Sequence, residues 1–296
     1  MSHDLIGGRS LQLAQETRFD RQLRAFGNAA QERLRAVRVC VVGVGGIGSH
    51  IVQALAYLGV GTFLLVDEDR VEYSNLNRLV SATAADVGRA KVDAAADLIR
   101  GIDPDATCHS ISKTLRSQEA LLAATNASFV FGCVDNDSAR LVLMELCCAY
   151  KIPYLDAATE FFVQGGAVQE FGGRVVVNVP GDFCLDCAGE IDMEAAKAGL
   201  EPENVRKVRE QHGYGFGPSQ PSPAVVSVNG IVANIAVTEF LMMVSEIRKP
   251  FRKATYKGMR GILQVSRDVR RTGCFNCEYL LGKREAANIF RYALTA

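Results

Sequence analysis

The sequence predicts an α/β fold, a mostly parallel sheet with helices on both faces that continues into an antiparallel C-terminal part. Two observations carry this. Short apolar runs alternate with helical patterns through the first half of the chain, the signature of βαβ units. Past residue 160 strand-like runs follow one another with Gly-Gly breaks and no helix between them, which calls for antiparallel pairing. Size agrees, because 296 residues with 48% hydrophobic content suffice for one large or two ordinary domains with a substantial core.

The elements read in order as follows. Arg18 to Ala36 has a helical pattern, and Val37 to Val42 is a short apolar run ending in glycines, the form of a buried parallel strand. Ser49 to Leu58 reads as helix, Thr62 to Asp67 as a second strand, and a helix runs from Lys91 to Gly101. Ser128 to Val134, Ala139 to Tyr150 and Tyr154 to Ala158 continue the alternation, and Gly165 to Val179 is the antiparallel stretch. Asp192 to Gln211 is charged and helical in pattern, and it leads into the glycine- and proline-rich His212 to Pro223, a mobile loop or a plain surface connector. Ser222 to Val244 is apolar over 23 residues, close to the length of a membrane span. Asn229, Asn234 and Glu239 recur in it at helical spacing, so it reads as a buried core helix and no membrane partner is expected.

Thirty-three Lys and Arg balance 33 Asp and Glu, so the overall field gives no reason to expect a general polyanion binder. Arg248 to Arg271 departs from that balance with nine basic residues and one acid, Asp268. It is either a solvated strand-and-turn face or a patch for an acidic partner; nucleic acid is the less favoured occupant. Met1 to Gln15 lacks the basic-then-apolar pattern of a signal peptide. Nine cysteines in a chain of this length fit a reducing, cytoplasmic compartment better than a disulfide scaffold.

Gly43-Val44-Gly45-Gly46-Ile47-Gly48 follows the first strand and opens a helix, and Asp67 ends the next strand. Gly43, Gly45, Gly46 and Gly48 let backbone N–H groups and a helix N-terminus approach phosphates, while Asp67 can accept from ribose hydroxyls. The pattern is Rossmann-like, and alone it means only that a nucleotide binds; a tight turn with close helix packing is the bland alternative. An NAD oxidoreductase is the default reading of it. The following residues argue otherwise: Asp67-Glu68-Asp69 leads to Ser74-Asn75-Leu76-Asn77-Arg78, Lys91 lies thirteen residues beyond Arg78, and Asp135-Asn136 ends a further apolar strand. Arg78 and Lys91 can neutralise a triphosphate and Asp135 can hold magnesium, which hydride transfer does not need. Each residue singly also fits a solvated charge or a helix cap.

With Arg18-Phe19-Asp20-Arg21-Gln22 added, this succession resembles the ThiF/MoeB/HesA family, adenylyltransferases related to ubiquitin-activating enzymes, from about Arg18 to Cys277. The resemblance implies that ATP binds at the glycine loop with Asp67 on the ribose, that Asn75, Arg78 and Lys91 handle the phosphates, and that Asp135 binds Mg²⁺. Asp69 and Asn136 join the implied nucleotide set. It also implies a homodimer in which Arg21 reaches the partner's active site, although Arg18 and Arg21 also suit a plain helix surface. The implied organisation is an N-terminal extension (1–17), an ATP-binding half (18–160), an antiparallel half that binds metal and carrier (161–282) and a C-terminal tail (283–296).

Cys184-Leu185-Asp186-Cys187 and Cys274-Phe275-Asn276-Cys277 form two C-x-x-C pairs, 86 residues apart. Each pair can clasp one side of a tetrahedral zinc, giving the closed site of structural Zn²⁺; buried or redox-active thiols are the alternative. Cys40, Cys133, Cys147 and Cys148 lie in apolar runs and read as core residues. Family members that form a thioester or persulfide usually carry the nucleophile between the zinc pairs, yet Ala188 to Gly273 has no cysteine, which implies adenylation only.

The expected activity is ATP-dependent activation of the C-terminal carboxylate of a small ubiquitin-like or sulfur-carrier protein, with Arg21, Arg78, Lys91 and Asp135 as catalytic groups. A ribosomally made peptide or a tRNA-base carboxylate is the alternative substrate, the zinc pairs favouring the MoeB side over the tRNA branch. A catalytically silent subunit of a heterodimeric activating enzyme is the competing class.

Overall fold

In the computed structural model the described residues are 18–201, 205 and 223–294. The N-terminal extension to residue 17, most of the helical expectation beyond Glu201 and the loop from His212 to Ser222 lie outside them.

The parallel half is built from α1 (Asp20–Ala36), β1 (Arg38–Val42), α2 (Gly46–Leu58), β2 (Thr62–Val66), α3 (Lys91–Ile102), β3 (Thr107–Ile111), α4 (Gln118–Thr125), β4 (Phe129–Gly132) and α5 (Asp137–Tyr150). Then come β5 (Tyr154–Gln164), β6 (Ala167–Asn178), α6 (Leu185–Ala188), α7 (Met193–Leu200), α8 (Val226–Ser245), β7 (Lys253–Lys257) and β8 (Ile262–Val265). Among the described residues all eight strands join one sheet in the order β3-β2-β1-β4-β5-β6-β7-β8. Pairing is parallel from β3 to β5 and antiparallel from β5 to β8, which is the predicted mixed sheet.

Alternation along β1 shows how the sheet separates two cores. Val39 and Val41 face α2, α3 and α8, whereas Cys40 and Val42 face α4 and α5, because successive strand side chains point to opposite faces. Large side chains without solvent exposure, such as Phe63, Phe131, Ile51 and Leu143, each contribute roughly 1.5–3 kcal/mol by leaving water. The apolar helix α8 belongs here too. It is long enough to cross a membrane, but Val232, Ala233, Ala236 and Phe240 pack against the sheet.

Three sequence expectations are corrected. Helix α2 starts at Gly46 instead of Ser49, because three glycines hide a helix N-terminus from any periodicity. Strand β3 and helix α4 were not predicted; Thr107–Ile111 is an edge strand with only Ile111 fully buried and so carries no apolar run. Gly172-Gly173 interrupts nothing and lies within β6. A Cβ on Gly172 would sit 2.0 Å from the Tyr256 carbonyl oxygen, and one on Gly173 would sit 2.4 Å from that of Ala158, so glycine there allows close strand approach. The hairpin turn is Gly165-Gly166, φ 60° and 78°, which supplies the two positive φ angles of a two-residue loop.

Strand β5 pairs parallel with β4 on one side and antiparallel with β6 on the other, and its Gln164 end passes the position 160 at which the halves were divided. A buried ionic network pins this junction. Asp156, without solvent exposure, accepts from the Tyr154 hydroxyl at 2.6 Å and pairs with Arg174 and, at 3.6 Å, Arg140. Glu190 in turn pairs with Arg174 and Lys253. Removing one member would strand buried charge at about 3–5 kcal/mol.

The basic run 248–271 is largely neutralised in place. Arg248 forks onto buried Glu239 at 2.6 and 2.8 Å, Arg252 onto Asp182 at 2.6 and 3.0 Å, and Lys253, Arg270 and Arg271 pair with Glu190, Glu278 and Asp186. Much of its charge therefore ties the antiparallel end together.

Candidate active site

Strands β1, β2, β3 and β4 end along one edge, and there a cavity of about 460 Å³ opens. It lies where the strand order reverses between β1 and β4, the position at which open α/β sheets take ligands. Of the residues predicted from sequence, Gly43, Gly45, Gly46, Asp67, Asp69, Arg78, Lys91, Asp135 and Asn136 line it.

Each loop glycine answers a different constraint. Gly43 has φ 85°, and a Cβ on it would lie 2.5 Å from the Cys133 carbonyl oxygen. Gly48 does not line the cavity; its Cα passes beneath the loop, where a Cβ would come within 1.9 Å of the Gly43 oxygen. Gly45 has open space before it and stands at the start of α2, which has no side-chain cap. The first N–H groups of that helix are thus available to an anion.

Asp67 braces the same loop. Its carboxylate accepts from Val44 N at 2.6 Å and Asp69 N at 2.9 Å. Loss of water pushes its pKa up, while Lys91 and the two N–H donors oppose the rise. Lys91, largely buried, holds Asp69 at 2.7 Å. Arg78 donates to Ser74 O at 2.8 Å and Asn77 Oδ1 at 3.0 Å, which keeps its guanidinium at the rim. Asp135 is exposed, and its hydrogen bond is to the Asn136 amide at 3.2 Å. Asn136 also caps α5, its Oδ1 accepting from Ala139 N at 2.8 Å, so the cap reading and the cavity position hold together.

Besides Gly48, two predicted residues sit apart. Asn75 spends its Oδ1 on Glu72 N within its own turn, outside the cavity lining. Arg21 is exposed on α1, next to Gln22, whose amide donates to Tyr57 O at the far end of α2. A 13-residue helix is about 20 Å long, so Arg21 does not reach its own chain's cavity. Conversely, Lys113, Thr114 and Leu115 line the cavity and were missed, because they follow the unpredicted β3.

The cavity offers anion-binding backbone, three cations and a cluster of carboxylates at a sheet edge. That combination can hold a nucleotide's phosphates and a divalent cation.

At the other end, Cys184, Cys187, Cys274 and Cys277 converge, their sulfurs all within 4.8 Å of one another. Three of the separations are 3.7, 3.7 and 3.9 Å, close to the edge of about 3.8 Å of a tetrahedron with metal–sulfur bonds of about 2.3 Å. The donor set fits a structural zinc. The other thiols are not activated: burial pushes Cys40 up to about 12 and Cys148 up to about 12, and it raises Cys147, Cys133 and, less buried, Cys108.

Comparison with known proteins places these features. The model of the ThiF family matches residues 19–279. The SAMP-activating enzyme E1 of Haloferax volcanii is 32% identical over 196 residues, 66% of this chain and 68% of that protein. The molybdopterin-synthase adenylyltransferase of Escherichia coli is 28% identical over 265 residues, 88% of this chain and 95% of that protein. Among solved structures, E. coli MccB with AMPCPP and MccA superposes with a TM-score of 0.70 at 19% identity, covering 90% of this chain and 75% of that one.

Proposed function

The chain belongs to the ThiF family, and on that premise we propose that it is an ATP-dependent adenylyltransferase that activates the C-terminal carboxylate of a small ubiquitin-like or sulfur-carrier protein. The relatives named above are an adenylyltransferase and an activating enzyme, which supports the reaction class. The observation that carries the reading is the convergence of the glycine loop, Asp67, Arg78, Lys91 and Asp135 on one cavity.

In the proposed reaction a carboxylate oxygen attacks the α-phosphorus of ATP. The new bond is acyl O–Pα, the bond to the β-phosphate oxygen breaks, and pyrophosphate leaves. Catalysis is positioning plus charge neutralisation. The N–H groups of the glycine loop and of the first turn of α2 take phosphate oxygens, and Asp67 takes the ribose. Arg78 and Lys91 offset the charge that develops toward pyrophosphate, with Asn75 and Asn136 at the edges of the same set. Lys91 must exchange Asp69 for phosphate, which leaves Asp69 free in the cavity that Asp135 also lines. Asp135 would hold Mg²⁺, which supplies further neutralisation of the triphosphate.

The remaining assignments belong to the same proposal. The 18–160 half handles ATP and the 161–282 half receives the carrier. The four cysteines hold zinc as a structural tie, and no cysteine acts as a nucleophile. The enzyme is a cytoplasmic homodimer: Arg21 lies a helix length from its own cavity, so a catalytic role for it requires a second copy.

ATP–pyrophosphate exchange with a carrier ending in Gly-Gly tests the reading. Asp135→Ala lowers exchange about 10³-fold, in line with loss of a transition-state stabiliser, and leaves Tm within about 2 °C because the side chain is exposed. Near-normal exchange by a folded Asp135→Ala protein overturns the assignment.

A further inference from the structure

Helix α8 comes from the antiparallel end, yet it delivers one polar side chain to the glycine loop. Asn229 is 2% exposed and lies so close that a Cβ on Gly46 would stand 2.3 Å from its Nδ2 and 3.6 Å from Cγ of Arg78. The Thr159 hydroxyl of β5 donates to Asn229 Oδ1 at 3.1 Å. That bond fixes the amide with its NH₂ toward the loop. Among the described residues no hydrogen bond from Nδ2 is found, and the atom is not one of the fully buried polar atoms left without a partner.

The surroundings narrow what satisfies it. Nδ2 stands beside the first residue of α2, where N–H groups already favour anionic or strongly polar oxygens. It comes from α8 and is held from β5, elements that do not themselves line the cavity, whereas Gly46 and Arg78 beside it do. If the antiparallel half receives the carrier as proposed above, an oxygen of that carrier reaches Nδ2 from α8 and β5, next to the residues that take the phosphates.

We propose that Asn229, oriented by Thr159, is a substrate-positioning residue that donates from Nδ2 to the acyl oxygen of the incoming carboxylate and of the acyl-adenylate. This rests on the adenylation reading above and adds a donor that acts on the acyl end alone. The chemistry recognised is a carboxylate or acyl carbonyl next to phosphate.

Two nucleosides that differ only at the acyl end test it without knowledge of the natural carrier: 5′-O-(N-glycylsulfamoyl)adenosine, a stable acyl-adenylate mimic, and 5′-O-sulfamoyladenosine, which lacks the acyl group. Binding of each to the full chain is measured by calorimetry, with Tm recorded for every variant. Asn229→Ala is expected to weaken the glycyl compound about tenfold and to leave the other within twofold. Thr159→Val, which releases the amide while keeping side-chain volume, is expected to weaken the glycyl compound several-fold and serves should Asn229→Ala fail to fold. An equal loss for both nucleosides, or no loss in a folded variant, overturns the proposal while adenylation stands. Failure of the wild type to bind either nucleoside overturns the adenylation reading and this proposal with it.

Discussion

The two ends of the sheet solve different problems with opposite means. At the nucleotide edge the backbone is fixed and the charges are on loan: Gly43 and Gly48 admit no side chain, whereas Arg78, Lys91 and Asp69 are parked on local partners from which a ligand can take them. At the cysteine end the side chains are already assembled, their sulfurs within 4.8 Å of one another, and basic residues are locked to acids, from buried Glu239 to exposed Asp182. A site that must bind and release keeps its donors exchangeable; a site that only holds does not.

The sharpest way to break this comparison is at the cysteines. Cys274→Ser should abolish stoichiometric zinc and lower Tm by more than about 10 °C, since comparable sites contribute on the order of 10–16 kcal/mol in zinc-finger peptides. An unchanged Tm, read by calorimetry beside zinc analysis, would mean that the cluster pins nothing. At the other end Arg78→Ala should cost about 10²–10³ in exchange rate, roughly 3–4 kcal/mol, with little change in Tm because its present bonds are exposed and local. The loop gives a finer contrast. Gly48→Ala forces a methyl into the Gly43 carbonyl and should destabilise by about 1–3 kcal/mol, while Gly45→Ala meets no neighbour and should fold normally yet bind ATP less tightly. Equal melting temperatures for the two variants would count against the packed-loop description.

The smallest effect concerns pH. Burial raises the pKa of Asp67 in the folded state, so between the ordinary carboxylate value of about 4 and that raised value the folded protein binds more protons than the unfolded chain. Stability from this group is therefore fullest at acid pH and is lost as pH rises through that window. Asp67→Asn removes the slope, so its Tm relative to wild type should climb with pH over the same window. A constant difference would show that Lys91 and the loop N–H donors cancel the desolvation.

Much of the candidate site was legible because it is made of short contiguous strings: the glycine loop, the cluster that ends at Arg78 and the C-x-x-C pairs each combine residue type with spacing. Elements with a strong period, such as α5 and α8, were legible for the same reason. What escaped depends on contacts between distant segments. Lys113 to Leu115 follow an edge strand too polar to announce itself. Asn229 looks like one polar interruption of an apolar helix until the fold places it on Gly46, 183 positions earlier in the chain. The basic run misled in the opposite direction, because its counter-charges Asp182, Glu190 and Glu239 lie elsewhere in the sequence.

Strand β5 carries one more consequence. A single continuous β-strand is shared by the parallel and antiparallel parts and is clamped at Asp156 by arginines from α5 and β6. Rotation of one part against the other would tear a hydrogen-bonded ladder and strand a buried charge. Among the described residues the sheet is mechanically a plate without a hinge between its two parts, so the hinge closure that many two-part enzymes use is closed to it. On the proposed reaction, whatever moves must hang from the plate's edges, and the carboxylate would come to the α-phosphorus by threading along a rigid surface.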